Sequence, residues 1–309
     1  MNIKLRIIKQ GIILVLGLGW SIGTAAQPRF QSEVGNFRYR DYELLINPAF
    51  VGAANSYYTA IGLHKQWTGS ASPLAETFQF HTPVAQSGGL GAWVHNEAYG
   101  PQHNTQFGAA YAHKIKVGSK SNLAFGLNLS LLLMNERRVE GLNEADEMFD
   151  QPLSNQIGFN AGFGVYYFTG KYYAGLSVPQ LLTNELLYEK KEGKLENNFQ
   201  FHQLQYYLTG GYRFTLSEKI DFTPSALLAL SSYTSLAYEL MLTASYERRF
   251  EVGAGWSAHA QLQFTFGAIV LKNLSLRYRY AHQLGNDYHQ MGGSHFIVLS
   301  FGWGERRGE

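Results

Sequence analysis

Hydrophobic and polar residues alternate along most of this chain. In residues 260–281, Leu262, Phe264, Phe266, Ala268 and Val270 occupy one set of alternate positions, with Gln261, Gln263, Thr265, Gly267 and Ile269 between them. After a short turn at 271–273, Leu274, Leu276, Tyr278 and Tyr280 interleave with Ser275, Arg277, Arg279 and Ala281. A period of two sends successive side chains to opposite faces, so this stretch predicts two strands joined tightly. The pattern recurs in 106–117, where Phe107, Tyr111 and Ile115 alternate with small and polar residues, and in 123–133, where Leu127, Leu129 and Leu131 do so. Each of these segments is about 11 residues, enough for a tilted strand to span a bilayer. Small residues on their second face fit a curved barrel interior or a close-packed sheet partner.

Taken in order, the strands are expected at 56–67, 74–82, 89–95, 106–117, 123–133, 158–168, 172–178, 202–216, 220–230, 236–248, 251–257, 261–270, 274–281 and 295–303. That makes about fourteen, and even numbers are what single-chain bacterial barrels use. Two stretches between strands are long and charged. Residues 136–151 carry Arg137, Arg138 and Asp146, and residues 185–198 carry Glu189, Lys190, Lys191 and Lys194. Long loops alternating with clipped turns are the asymmetry of an outer-membrane barrel, although a large soluble sandwich tolerates the same loops.

One region breaks the pattern. Residues 29–42 are polar and aromatic without a period, and they lead into Glu43-Leu44-Leu45-Ile46-Asn47-Pro48-Ala49-Phe50-Val51-Gly52. Pro48 offers no amide to a ladder and restricts Asn47 before it. This piece is expected to cap or plug something instead of serving as a central strand.

The N-terminus bears on compartment. Lys4, Arg6 and Lys9 form a basic start, residues 11–20 are an apolar run, and Thr24, Ala25 and Ala26 supply small residues before Gln27. This reads as a secretory signal over 1–26. Without Lys4, Arg6 and Lys9 the formal charge falls from +2 to about −1, too weak for a nucleic-acid reading. Zero cysteines exclude disulfide stapling and thiolate metal sites, so a large sheet must supply the stability. The 20 Tyr, 20 Phe and 33 Gly suit strands and turns. These facts leave an exported all-β protein, either a soluble sandwich or a transmembrane antiparallel β-barrel.

Closure follows if the solvent is lipid, because every backbone amide must then be paired and no edge is permitted. On that model Leu262, Phe264 and Phe266 face lipid, while Gln261, Gln263, Thr265, Arg277 and Arg279 face the lumen. Tyr166, Tyr167, Tyr172, Tyr173, Tyr206, Tyr207 and Trp303 lie near strand ends and would suit an interfacial aromatic belt.

Catalysis has little support. The chain has no His-Glu-x-x-His, no Gly-x-Ser-x-Gly and no phosphate-binding glycine loop. The acidic residues of 136–151 lack the ordered spacing of a calcium loop. Neither an enzymatic activity nor a cofactor is expected. Binding through loops is the better reading, with Arg137, Arg138, Asp146, Lys190 and Lys191 as candidate partner contacts. Asn47 and Pro48 are the candidates for a plug or docking element.

At the level of motifs the chain resembles a known family. Asn47-Pro48-Ala49-Phe50-Val51-Gly52, then Lys65-Gln66-Trp67 with Gly69, and Phe78-Gln79-Phe80-His81-Thr82-Pro83 look like the opening of the PorP/SprF membrane proteins of the type IX secretion and gliding apparatus of Bacteroidota. Gly164-Val165-Tyr166-Tyr167, Leu176-Ser177-Val178-Pro179, Leu208-Thr209-Gly210-Gly211-Tyr212 and Gly293-Ser294-His295 continue the likeness in order. The turn at 69–73 keeps only part of the family pattern, and a polar tail follows Trp303. The resemblance implies an outer-membrane barrel over 55–303, preceded by a capping or plug segment at 27–54 and followed by a tail at 304–309. It also implies partners: type IX machinery proteins, periplasmic or lipoprotein components, and exported surface adhesins. The alternative function is a passive or hydrophobic-solute channel.

Overall fold

The computed structural model describes residues 42–53, 56–66, 72–100, 102–136, 156–189, 192–198, 204–231, 236–258, 261–284 and 293–303. The expected signal (1–26), the first part of the N-terminal segment (27–41) and the tail (304–309) lie outside the described residues, as do Arg137, Arg138, Asp146, Lys190 and Lys191. A one-turn helix α1 (Glu43–Ile46) and a 3-10 turn (Pro48–Gly52) precede the strands. The first strands are β1 (Tyr57–Lys65), β2 (Leu74–Val84), β3 (Gly88–Tyr99), β4 (Gln102–Lys116), β5 (Ser121–Glu136), β6 (Gln156–Thr169) and β7 (Tyr172–Val178). Then come β8 (Thr183–Glu189), β9 (Glu192–Asn198), β10 (Tyr206–Tyr212), β11 (Phe214–Thr215) and β12 (Ile220–Leu230). The chain ends with β13 (Ala237–Tyr246), β14 (Phe250–Ser257), β15 (Gln261–Leu271), β16 (Leu274–Gln283) and β17 (Ser294–Trp303).

Neighbours in sequence pair antiparallel from β1 to β7, and again from β12 to β17. β1 then pairs β17 (Tyr57↔Trp303 to Lys65↔His295), and β10 pairs both β7 and β12. The sheet has no open end. β10 and β11 are two pieces of one stave, interrupted at Arg213 and both set against β12, so the wall is a closed barrel of 14 staves. These are the expected strands. Several boundaries differ, and β3 to β6 run past the apolar pattern into polar residues. There cross-strand hydrogen bonds hold the ladder: Thr105 Oγ1 donates to Asn96 Oδ1 at 2.9 Å, and Asn96 Nδ2 donates to Glu76 Oε2 at 3.3 Å.

The charged stretch expected as a loop at 185–198 is instead largely a hairpin, β8 with β9, paired from Thr183↔Asn198 to Glu189↔Glu192 and separate from the barrel sheet. Its sequence, Thr183-Asn184-Glu185-Leu186-Leu187-Tyr188-Glu189 and Glu192-Gly193-Lys194-Leu195-Glu196-Asn197-Asn198, shows no apolar alternation, so periodicity could not reveal it.

Burial confirms which way the wall faces. Large apolar side chains stand out into the surroundings: Ile61, Phe78, Phe107, Phe125, Leu127, Leu129, Phe159, Phe264, Phe266, Leu299 and Phe301 are all exposed, Leu129 at 71%. The alternate positions are buried and polar, among them Thr77, Gln79, His81, Asn128, Asn160, Thr209, Glu239, Gln263, Thr265 and Arg279. A water-soluble sandwich has the opposite polarity, and a barrel in lipid has this one. Among the described residues no helix is long and apolar enough to cross a membrane; the strands do so.

Parity also corrects the aromatic belt. Tyr166/Tyr167, Tyr172/Tyr173 and Tyr206/Tyr207 are adjacent pairs, and adjacent strand residues point to opposite faces. Tyr166, Tyr173 and Tyr207 therefore point inward, Tyr166 stacking on Tyr173 at 5.7 Å. Tyr167, Tyr172 and Tyr212 form the outer cluster, with the last two rings parallel within 2°.

The two rims differ. The turns after β2, β4, β6, β11, β13 and β15 are tight, and the start of β1 and the end of β17 share their rim. The opposite rim carries the longer connections and the β8–β9 hairpin, with the short β3–β4 and β14–β15 connections as its exceptions.

The lumenal segment as candidate functional site

Residues 42–53 lie inside the barrel. The local conformation follows from Asn47-Pro48. The helical region is disfavoured for a residue before proline, and Asn47 is extended (φ −136°, ψ 107°), which ends α1. Pro48 then opens the 3-10 turn, where its missing amide costs nothing. The Asn47 side chain is buried and does two jobs. Its Oδ1 accepts from the Ala49 amide at 2.9 Å, capping the turn, and its Nδ2 donates to the Val165 carbonyl of β6 at 3.1 Å. On β7, Ser177 Oγ donates to the Ile46 carbonyl at 2.7 Å.

Apolar contacts complete the seat. Leu44 and Val51 pack with Tyr42, Trp93, Ala110, Ala112 and Val298. Ile46 packs with Tyr207, Leu227 and Ala229 on the far side of the lumen. Ala49 meets Ala124 and Tyr166, and Phe50 sets its ring edge-on to His81 and Tyr166 at 5.7 and 5.8 Å. Leu44, Ile46 and Val51 are almost wholly buried, and burying each is worth about 1.5–3 kcal/mol.

The wall is cut to receive this backbone. At Gly126 a Cβ would overlap the Ala49 amide and the Pro48 carbonyl carbon, and at Gly164 it would overlap Asn47 Oδ1. The small inward residues of strands β3 to β7 therefore form a groove, and it lies toward the tight-turn rim. Asn47 and Pro48 are thus brought together with Gly126, Gly164, Val165 and Ser177. Sequence reasoning missed the wall side of the contact; its signal was the run of Gly and Ala on the second face of those strands.

The opposite wall is charged. Arg279 on β16 is 3% exposed and donates through Nη1 to Glu239 Oε1 of β13 and Gln263 Oε1 of β15, both at 3.1 Å. It passes over β14, whose inward positions include Gly253 and Gly255. Arg277 pairs with Glu251 at 3.4 Å, and at the turn end Arg248 pairs with Asp221 at 3.5 Å. The lumen thus has a small, largely apolar seat on one side and an ion-paired wall on the other. Among the described residues no group of three or more His, Asp or Glu is placed to hold a metal ion.

A closed barrel with lipid-facing aromatics, inward polar residues and an internal N-terminal segment defines an outer-membrane β-barrel protein. The chain belongs to the family described as Type IX secretion system membrane protein PorP/SprF, whose model matches residues 31–301. It is a multi-pass protein of the outer membrane, crossing with its strands. Among solved structures it is similar to the P. putida toluene transporter TodX, at 9% identity and a TM-score of 0.51, over 86% of this chain and 94% of that one. The CymD monoaromatic hydrocarbon channel has 11% identity and a TM-score of 0.49, over 91% and 94%. At such identity the TodX likeness speaks to the barrel fold alone. No curated protein matches the chain.

Proposed function

We propose that this protein is a non-enzymatic component of the type IX secretion and gliding apparatus that binds machinery partners or anchors exported surface proteins. The observation that carries this reading is the family match over nearly the whole barrel together with a lumen occupied by the chain's own segment. A barrel whose interior is taken up in this way offers its rims for recognition. The tight-turn rim, by the usual orientation of such barrels, faces the periplasm, and there the seated Asn47-Pro48 segment is the docking element for periplasmic or lipoprotein components. The opposite rim presents the stretches with Arg137, Arg138, Asp146, Lys190 and Lys191 to exported proteins, with electrostatic complementarity setting the partner.

A channel for hydrophobic solutes fits less well. Arg279, Glu239, Arg277 and Glu251 line the wall facing the segment, and charged groups do not favour passage of apolar molecules. The deciding experiment is gentle crosslinking in native outer membranes followed by affinity purification of the full-length protein. Recovery with a lipoprotein of the secretion machinery or an exported adhesin is expected, weakened by charge reversal at Arg137/Arg138 or Lys190/Lys191. Isolation of the barrel alone, with solute uptake in reconstituted vesicles, would instead establish the channel.

A further inference from the structure

The barrel wall is not continuous in height beside β6. Pairing of β6 with β7 stops at Phe163↔Val178, whereas β6 itself continues to Gln156. Instead of climbing beside it, residues 179–182 turn over two inward-facing asparagines. Asn128 Nδ2 donates to the Pro179 carbonyl at 3.2 Å. Asn160 holds the next residues with both ends of its amide: Oδ1 accepts from the Leu181 and Leu182 amides at 2.9 and 3.0 Å, and Nδ2 donates to the Leu182 carbonyl at 2.7 Å. The Leu181 amide is also 2.8 Å from the Ala161 carbonyl. Gly162 leaves the space that the Pro179 carbonyl occupies.

This turn joins two features that both lie against β6, the β8–β9 hairpin and the lumenal segment. Thr183, the first residue of β8, follows Leu182 directly. On the other side, only Val178 separates Pro179 from Ser177, whose hydroxyl holds the Ile46 carbonyl of the lumenal segment. Val165, the acceptor for Asn47, is paired with Leu176 in the same short ladder. Drawing the turn out of the lumen would pull on Ser177 and leave the buried Ile46 carbonyl without that bond, which is costly. We infer that the turn at 179–182 is a coupling element, so that displacement of the β8–β9 hairpin at one rim loosens the lumenal segment seated toward the other.

Because the chain has no cysteine, a single introduced thiol reports on one place. Val51→Cys lies in the wholly buried part of the segment, and its rate of maleimide labelling is measured on the full-length protein in outer-membrane vesicles. Asn160→Ala, which touches the turn and not the segment, is expected to raise that rate about fivefold or more, the lower end of typical coupling. Coupling is reciprocal, so Asn47→Ala, at the segment, should raise tryptic cleavage at Lys190-Lys191 by a comparable factor. Heat-modifiable mobility on gels shows that each barrel is closed. Should Asn160→Ala fail to insert, Asn128→Ala releases the turn through Pro179 and serves in its place. Faster hairpin cleavage in the turn variant with unchanged Val51→Cys labelling would overturn the inference, as would no change in either rate. Failure of both turn variants to insert would also overturn it, by making the turn a requirement of assembly.

Discussion

Asn47 and Val165, 118 residues apart in sequence, are joined by a hydrogen bond of 3.1 Å from the Asn47 side-chain amide to the Val165 carbonyl inside the barrel. The same side chain caps the following turn through its other atom. One asparagine therefore shapes the segment and fastens it to the wall.

Replacing Asn47 separates these roles. Asn47→Ala removes the cap and the wall bond, and is expected to weaken seating by about 1–2 kcal/mol, since a lost cap costs about that much. Hydrogen exchange at the amides of residues 49–51 should quicken while the strand amides stay protected. Asn47→Asp keeps an acceptor for Ala49 but sets a carboxylate against the Val165 carbonyl in a buried place. It should quicken exchange more than alanine does. Equal protection in all three proteins would show that the side chain fastens nothing.

The glycines of the wall supply a steric test. Gly126→Val places its Cβ on the Ala49 amide, and backbone cannot step aside as a flexible side-chain tip can. Such overpacking typically costs about 1–3 kcal/mol. The segment should be displaced from a barrel that still closes, seen as proteolysis near residues 49–53 with heat-modifiable mobility retained. Gly210→Ala is the control, because the nearest atom to its Cβ would be the Tyr173 carbonyl oxygen at an ordinary 3.6 Å. Similar proteolysis in both variants would refute the idea of a fitted groove.

The wall was legible because lipid and lumen demand opposite chemistry on alternate residues. Phe264 and Phe266 face out and Gln263 and Thr265 face in as period two requires. Asn47-Pro48 was also visible as a break in that pattern, since proline chemistry is local. What Asn47 touches was not visible. Val165 and Ser177 belong to distant strands, and only closure of the sheet brings them to the segment. The tyrosine pairs misled for a different reason. Composition near a strand end suggests an interface, but parity lets only one residue of each adjacent pair reach it. The β8–β9 hairpin escaped notice because its charged sequence lacks the apolar alternation that marks the wall, and backbone pairing alone leaves no such trace.

Arg279 and Glu239 allow the charged wall to be weighed. Both are buried, 3.1 Å apart, and Gln263 shares the guanidinium. Arg279→Leu leaves a buried carboxylate without its cation, and breaking a buried pair in this way costs about 3–5 kcal/mol. The double variant with Glu239→Leu should recover most of that loss, because the penalty comes from the stranded charge. Urea unfolding in lipid vesicles measures both. A double variant as unstable as the single one would mean that the pair itself, and not the desolvated partner, sets the cost.

The outer face gives a test of the solvent around the barrel. Leu129, 71% exposed near the middle of the long strand β5, and Ile115, 41% exposed near the turn end of β4, both point outward. In water an exposed leucine or isoleucine changed to arginine would shift stability by only about 0.5 kcal/mol in either case. In a bilayer the cost depends on depth, about 2–4 kcal/mol at the midplane and about 0–1 kcal/mol near the interface. Leu129→Arg should therefore destabilise the folded barrel in lipid several times more than Ile115→Arg, with equilibrium unfolding in vesicles as the measure. Equal, small effects at the two sites would place water, not hydrocarbon, against β5. That result would undo the lipid-facing reading of the wall even with the strand order unchanged, because closure and alternation alone do not name the solvent.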